Sequence, residues 1–309
     1  MTDYRAVLAL ADRYDRAVDS LEADVIERVN TALDASFRQI ERDLRVLYGE
    51  IQDDGAAYTF AVKSQKLNDI KALLDQVLPE AQRAEIEALY QEALQLASDA
   101  GVDLAGNLIG QINPRYPVAA FSGVPIKAIS AQARDGVDRL YRHGKDFARR
   151  ASAVVELGLA NGHGTAKVAD QLRRQLGTTK AKAETIARTE VMSSYNTAAK
   201  GRYEEAGVEY VQWVLSPSEG NCSYCLARNM KVYKLGDAII PSHPRCRCSI
   251  LPWLPEWQEQ GLTDDTFAAQ YRAEAIAQGK DQGITLASGP SPFERAAEME
   301  GAPTPVWSP

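Results

Sequence analysis

Cys222 and Cys225 stand three positions apart in "NCSYCLARN", and His243 and Cys246 repeat that interval in "PSHPRCRCSI", with Cys248 two residues further on. They are the four cysteines of a 309-residue chain, gathered within 27 positions. A C-x-x-C turn aims two thiolates at one point, and H-x-x-C, stiffened by Pro244, does the same. Zinc takes four N or S ligands in a tetrahedron with Zn–S near about 2.3 Å, and two such turns supply them. Five candidates therefore compete for four places. Cys222 and Cys225 form the anchor pair. Cys246 or Cys248 comes next, because residues i and i+2 of a strand share a face and both reach one ion where the strand bends. His243 either ligates or supports the site.

Other chemistries fit this pattern less well. Free cysteines are often just small buried hydrophobes, but chance placement rarely produces two paired spacings. A redox pair at 222–225 lacks the βαβ context of thioredoxin-like motifs. A catalytic zinc is disfavoured by the absence of H-E-x-x-H and of the H-x-E with P-C-x-x-C pattern of deaminases. A closed four-ligand site also leaves no position for water. The reading is Zn2+ as a structural staple for a small β-subdomain with too little core of its own.

The elements that must carry this cluster are mainly helical. Over 3–52, apolar residues from Val18 through Val25, Leu33, Ile40 and Leu44 to Ile51 recur at intervals of three or four, the mark of one long amphipathic helix. Fifty residues at 1.5 Å each span roughly 75 Å. Part of its stripe, nearer Val18 to Leu33, is expected to meet another chain. A second helical stretch covers 66–100, kinked at Pro79 and closed by Gly101. Residues 106–125 mix glycine and proline and read as an irregular connector. Three helices follow, divided at "GHGT" and after Gly177, with Gly144 suggesting a further break inside the first, and the third ends at Gly207. Then the period changes. Val211, Trp213 and Leu215 alternate with their neighbours as a strand, and "CRCSILPWL" is a second short strand stopped by Pro252. The expected class is mainly α with a small zinc-stapled α+β subdomain, long N-terminal helices and an extended C-terminal tail. The expected domains are 1–105 (helical, partner docking), 106–126 (connector), 127–254 (with the zinc-binding β-ribbon) and 255–309 (acidic, Pro-rich).

Net charge is −7, which argues against a generic nucleic-acid binder. Its distribution is uneven, with −9 over 1–126, +8 over 127–202, balance over 203–254 and −6 over 255–309. The basic middle is either a set of solvated helix faces or a surface for DNA or an acidic partner, with Arg139, Arg142, Arg149 and Arg150 as contacts. No apolar run reaches the roughly 18 residues of a membrane span, and the start lacks a signal-peptide pattern. The expectation is a soluble chain made in the cytoplasm, where thiols stay reduced.

"ARTE" at 187–190, Asn196 with Ala198 and Ala199, Tyr203 before Gly207, Trp213, the C-x-x-C and the H-P-x-C-R-C follow one another in fixed order. Over roughly 140–255 the sequence resembles the phage head morphogenesis proteins of the Mu F-like type, also called minor head or minor capsid proteins. The resemblance implies a virion protein, few in copy, on the inner side of the head near the portal. It joins procapsid and portal during assembly, and some members are linked to DNA packaging or ejection. The implied partners are the portal protein, the major capsid or scaffolding protein, packaged DNA and other copies of the chain, with no membrane.

Read from the residues alone, Arg188, Glu190 and Asn196 form a buried or interfacial polar network. A structural ion pair tying the helix to the zinc ribbon is favoured over catalysis. A zinc-containing nucleic-acid-binding protein or nuclease is the alternative, but His143 and His163 have no recognisable catalytic partner. "EME", Glu298 to Glu300, evokes an ADP-ribosyltransferase, yet it lies in a Pro-rich tail and is treated as chance. The chain is therefore expected to be a structural protein rather than an enzyme.

Overall fold

A computed structural model describes residues 4–53, 60–112, 126–215 and 222–254. The tail expected over 255–309, the "EME" within it and residues 113–125 of the connector lie outside the described residues. Helices dominate, with α1 at Tyr4–Asp53, α2 at Phe60–Leu74, α3 at Arg83–Ile112, α4 at Ile126–Ala160 and α5 at Thr165–Glu205. Strand β1 (Tyr210–Val214), the short helix α6 (Ser223–Arg228), β2 (Val232–Lys234) and β3 (Ser249–Trp253) complete the order. The three strands form one antiparallel sheet in the order β2-β1-β3, so the structure is mainly α with a small α+β part. Among the described residues no helix is long and apolar enough to cross a membrane.

Several expected breaks are not breaks. Gly101 lies inside α3, which runs on through Gly106 and Gly110 to Ile112. A Cβ on Gly101 would stand 2.2 Å from the backbone oxygen of Tyr195. This glycine therefore permits close approach of two helices instead of ending one. Gly144 likewise lies within α4, where a Cβ would sit 3.0 Å from Leu78 Cδ1. Gly177 lies within α5, which is one helix of 41 residues. Pro252 is inside β3, not after it, and pairs with Val211. Proline is tolerated there because β3 is an edge strand. Gly207 does end α5, in the left-handed conformation at φ 69°.

The chain divides into two compact units. One comprises 23–92 and 133–187, and every element described in it is a helix. Its core includes Leu33, Phe37, Ile40 and Leu44 of α1, Ile70 and Leu74 of α2, Leu140 and Phe147 of α4, and Leu172 and Leu176 of α5. Phe37 and Phe147 meet edge to face at 6.1 Å. Tyr48 Oη donates to His163 O at 2.8 Å, and Tyr141 Oη donates to Pro79 O at 3.0 Å. The other unit comprises 1–22, 93–132 and 188–309 and holds the sheet and the cysteines. Its core joins Ala105 and Ile109 of α3 with Ala199 and Tyr203 of α5 and with Val211 and Ile250 of the sheet.

The buried positions of α1 follow a three-or-four rhythm through Val7, Ala11, Asp15, Val18, Glu22, Val25, Val29, Leu33, Phe37, Ile40, Leu44, Tyr48 and Ile51. The expectation that Val18 to Leu33 is left open for another chain is corrected. Val18, Val25, Val29 and Leu33 are at most 2% exposed within this chain. Two carboxylates, Asp15 and Glu22, occupy positions that the rhythm assigns to apolar residues.

Candidate metal centre

Each cysteine is placed by a local device. Cys222 is the N-cap of α6, and its sulfur accepts a hydrogen bond from the Cys225 amide at 3.4 Å. Cys225 follows in the first turn, the geometry in which a helix start brings two thiols together. His243 and Cys246 belong to a turn closed by Cys246 N donating to His243 O at 3.1 Å. Arg245 takes the left-handed conformation there at φ 66°, and its amide donates to Thr189 Oγ1 of α5 at 3.2 Å. Cys248 immediately precedes β3.

These turns bring all five donors into one cluster. Cys222, Cys225 and His243 form one group and Cys225, Cys246 and Cys248 another, with donor atoms in each group within 4.8 Å of one another. Cys225 belongs to both. His243 Nε2 lies 2.9 Å from Cys225 Sγ and 3.3 Å from Cys222 Sγ. Its Nδ1 lies 2.8 Å from the Pro244 carbonyl, which can only accept. Nδ1 therefore carries the donated proton, and Nε2 is the atom turned toward the sulfurs. A backbone carbonyl fixing the remote ring nitrogen is the usual support of a ligating histidine. Sulfurs about 3.8 Å apart suit a tetrahedral ion with bonds of about 2.3 Å. The donor set of four thiols and one imidazole fits a metal ion of zinc type.

Electrostatics point the same way. Hydrogen bonding with Cys225, helped by His243, holds the Cys222 thiol down to about 4 against the effect of burial. Cys246 is also lowered, by hydrogen bonds with Cys225 and Cys248. Cys225 is raised by its sulfur neighbours and Cys248 by burial. Burial lowers the His243 imidazole, but hydrogen bonds with Cys222 and Cys246 outweigh it and raise it to about 10. A cation bound among these donors would take the place of a proton on Nε2 and release it.

The surroundings are apolar and close-packed. Cys225, Cys246 and Cys248 are buried with Trp213 and Leu215, flanked by Tyr224, Leu226, Tyr233 and Ile240. Tyr224 meets the His243 ring edge to face at 6.1 Å, and the Arg228 guanidinium lies 3.3 Å above the Tyr224 ring.

Helix α5 is the plank on which this subdomain rests. Asn196 Nδ2 donates to Cys248 O at 3.1 Å and to Met192 O at 3.0 Å. Lys200 Nζ donates to Ala238 O at 3.2 Å, and Tyr203 Oη donates to Ile250 O at 3.2 Å. With Thr189, these residues fall at intervals of seven, four and three, one face of a helix. Each recurring polar residue of this stretch thus has a backbone group of the cysteine subdomain as its partner.

The expected polar trio is distributed differently. Arg188, Glu190 and Asn196 all lie on α5, and one side-chain bond of each leads to a different place. Arg188 Nε donates to Glu22 of α1. Glu190 Oε2 accepts from Gln132 Nε2 at 3.0 Å. Asn196 reaches the metal loop. Sequence reasoning missed Glu22, which also receives Arg247 Nη2 at 3.0 Å from the segment between Cys246 and Cys248. It missed Asp15 as well, whose carboxylate accepts from Tyr195 Oη at 3.3 Å and Ser249 Oγ at 3.4 Å. The available signal was a pair of carboxylates on an apolar rhythm. Of the four expected contact arginines on α4, Arg142 and Arg149 are exposed, and Arg149 pairs with Asp146 at 2.9 Å. Arg139 and Arg150 are half-buried, and Arg150 Nε donates to Gln175 at 3.0 Å.

Residues 151–251, about a third of the chain, match the family described as Phage Mu protein F like protein. That segment is Mu F-like. It opens in the C-terminal part of α4, takes in all of α5 and closes inside β3, so the Mu F-like segment includes both the plank and the five metal-type donors. Neither a curated protein nor a solved structure matches the chain.

Proposed function

We propose that this chain is a structural minor head protein of a tailed phage, acting in head assembly at the portal with its Mu F-like segment stapled by one zinc ion. The observation that carries this reading is the coincidence of the Mu F-like match with α5 and the cysteine cluster it supports. Zinc is held by Cys225 and three of Cys222, His243, Cys246 and Cys248. A closed set of this kind locks a small sheet in place and leaves no position for an attacking water, so the role is structural and not catalytic. The portal protein is the first partner, with major capsid or scaffolding protein beside it, inside the head. Any docking by 1–105 uses its outward polar face, because the apolar stripe is internal. Packaged DNA is a further partner, met through exposed Arg142 and Arg149 of the +8 segment.

The test is to purify heads from a host producing the chain with a small tag. Tag labelling at the single portal vertex, with about one zinc per purified chain, is the expected result. Label spread over the whole shell, or a chain missing from heads that assemble normally in its absence, overturns the assignment.

A further inference from the structure

The helical unit carries a basic cleft remote in sequence from the cysteines. Arg38, Arg42 and Arg45 of α1 and Arg173 of α5 line an open cavity of about 350 Å³ together with one carboxylate, Glu41. Glu41 pairs with Arg45 at 2.8 Å and also with Arg173. Four guanidinium groups against one carboxylate leave three positive charges in excess. Both α1 arginines outside that pair are exposed. Arg42 donates to Gln39, and Arg38 makes no hydrogen bond or ion pair among the described residues.

This arrangement is not explained by helix stability. Arg38, Arg42 and Arg45 stand at i, i+4 and i+7 on one face, and like charges so spaced disfavour a helix by a few tenths of a kcal/mol per pair. The stretch 1–126 is acidic overall at −9, so the cluster is also not part of a general basic surface. Guanidinium is the planar, weakly hydrated cation that suits phosphate oxygens. Glu41, held below its usual carboxylate range by Arg45 first, stays ionised and fixes Arg45 and Arg173 in place. Arg38 and Arg42 are left to receive an anion.

We propose that this cleft is a phosphate-binding site that takes the phosphodiester backbone of nucleic acid, independently of base sequence. It engages through Arg38 and Arg42, with Arg45 and Arg173 as a fixed second row. It rests on the proposed role of DNA as a further partner and moves the principal contact from α4 to the α1–α5 cleft.

The experiment uses the full chain and a fluorescein-labelled duplex of random sequence, with anisotropy read from 20 to 200 mM salt. Each phosphate that is no longer neutralised lowers the slope of log K against log salt by about 0.9. Arg38→Gln with Arg42→Gln is expected to lower it by about 2 and to leave the thermal midpoint and zinc content unchanged. Arg28→Gln with Arg174→Gln removes the same charge from the two helices that form the cleft, but outside it and at residues already paired with Asp24 and Asp170. It is expected to change the slope little. Equal loss in both pairs, or no salt-dependent binding by the unaltered chain, overturns the proposal. Inorganic phosphate that displaces the duplex at micromolar concentration assigns the site to a free anion and overturns the nucleic-acid source. Retained binding by Arg38→Gln/Arg42→Gln that is lost in Arg142→Gln/Arg149→Gln returns the contact to α4. Failure of the portal-vertex test leaves these outcomes readable, since none of them depends on where the chain sits in a head.

Discussion

Asn196 donates its side-chain amide to the carbonyl of Cys248, 52 residues away, at 3.1 Å. The bond joins the C-terminal part of α5 to the last metal-type donor before β3. Asn196 is 1% exposed, and a second bond to Met192 O commits its other amide proton to its own helix. Asn196→Ala takes this donor away from the Cys248 carbonyl in a buried setting, at about 2 kcal/mol. Urea unfolding monitored by far-UV circular dichroism gives the loss directly. A midpoint equal to that of the unaltered chain shows that the bond contributes nothing.

Cys225 belongs to both donor groups, whereas Cys222 and Cys248 belong to one each. Cys225→Ser is therefore expected to abolish tight zinc binding, and Cys248→Ser to weaken it. Metal analysis after dialysis against a mild chelator separates the two. Loss of zinc should raise amide exchange over 210–253 while α1 and α2 keep their protection. Full protection of the sheet in metal-free chain would show that the ion is not a staple.

Glu22 is 1% exposed and receives both Arg188 and Arg247. Glu22→Gln keeps the shape and removes the anion, leaving two largely buried guanidinium groups facing a neutral amide. The expected cost is about 2 kcal/mol, reduced from the fully buried case because each arginine keeps some contact with water. Pairing the change with Arg247→Met tests the assignment. The double variant should recover part of the loss, and simple additivity would refute the coupling.

Burial, reinforced by Asp19 and Asp12, raises the Asp15 carboxyl from 3.8 to about 7, with the hydrogen bonds from Tyr195 and Ser249 pulling the other way. In the unfolded chain it ionises near its ordinary value, so between about pH 4 and 7 the folded state binds the extra proton. Stability from this group is complete below the unfolded value and is lost as pH rises toward 7. Asp15→Asn should flatten that decline and be relatively more stable than the parent at pH 8 than at pH 4. Parallel pH profiles for the two chains would rule this out.

Gly101 and Gly106 occupy the same helix but differ in space. A Cβ at 101 meets the Tyr195 backbone oxygen at 2.2 Å, whereas nothing lies within 4 Å of one at 106. Gly101→Ala is expected to destabilise by about 3 kcal/mol through overpacking against a backbone that cannot yield. Gly106→Ala should stabilise by about 0.5–1 kcal/mol as a helix-interior glycine replaced. Opposite shifts in thermal midpoint are the signature.

Periodicity made α1 legible nearly to its ends, because a 50-residue apolar rhythm leaves no other assignment. The cluster was legible from spacing alone, since C-x-x-C and H-x-x-C are local turns whose geometry does not depend on the rest of the fold. What spacing could not supply was the long-range half of the site. Thr189, Asn196 and Tyr203 acquire meaning only once α5 lies along the subdomain, and Asp15 and Glu22 only once α1 is in place. The misread glycines have two causes. Gly101 and Gly144 look like stops by propensity, but close packing favours them inside helices. Gly177 is simply passed by a helix held on both sides of it by buried neighbours.

Pro252 has a consequence for molecules met at high local concentration. It sits in an edge strand of the three-stranded sheet and has no N–H to offer a newcomer. The opposite edge, β2, is three residues long and presents exposed Lys234. Neither margin templates a fourth strand. Copies crowded together are expected to stay separate along their sheets, so that the buried cysteines packed with Trp213 of β1 are not drawn into a cross-strand aggregate.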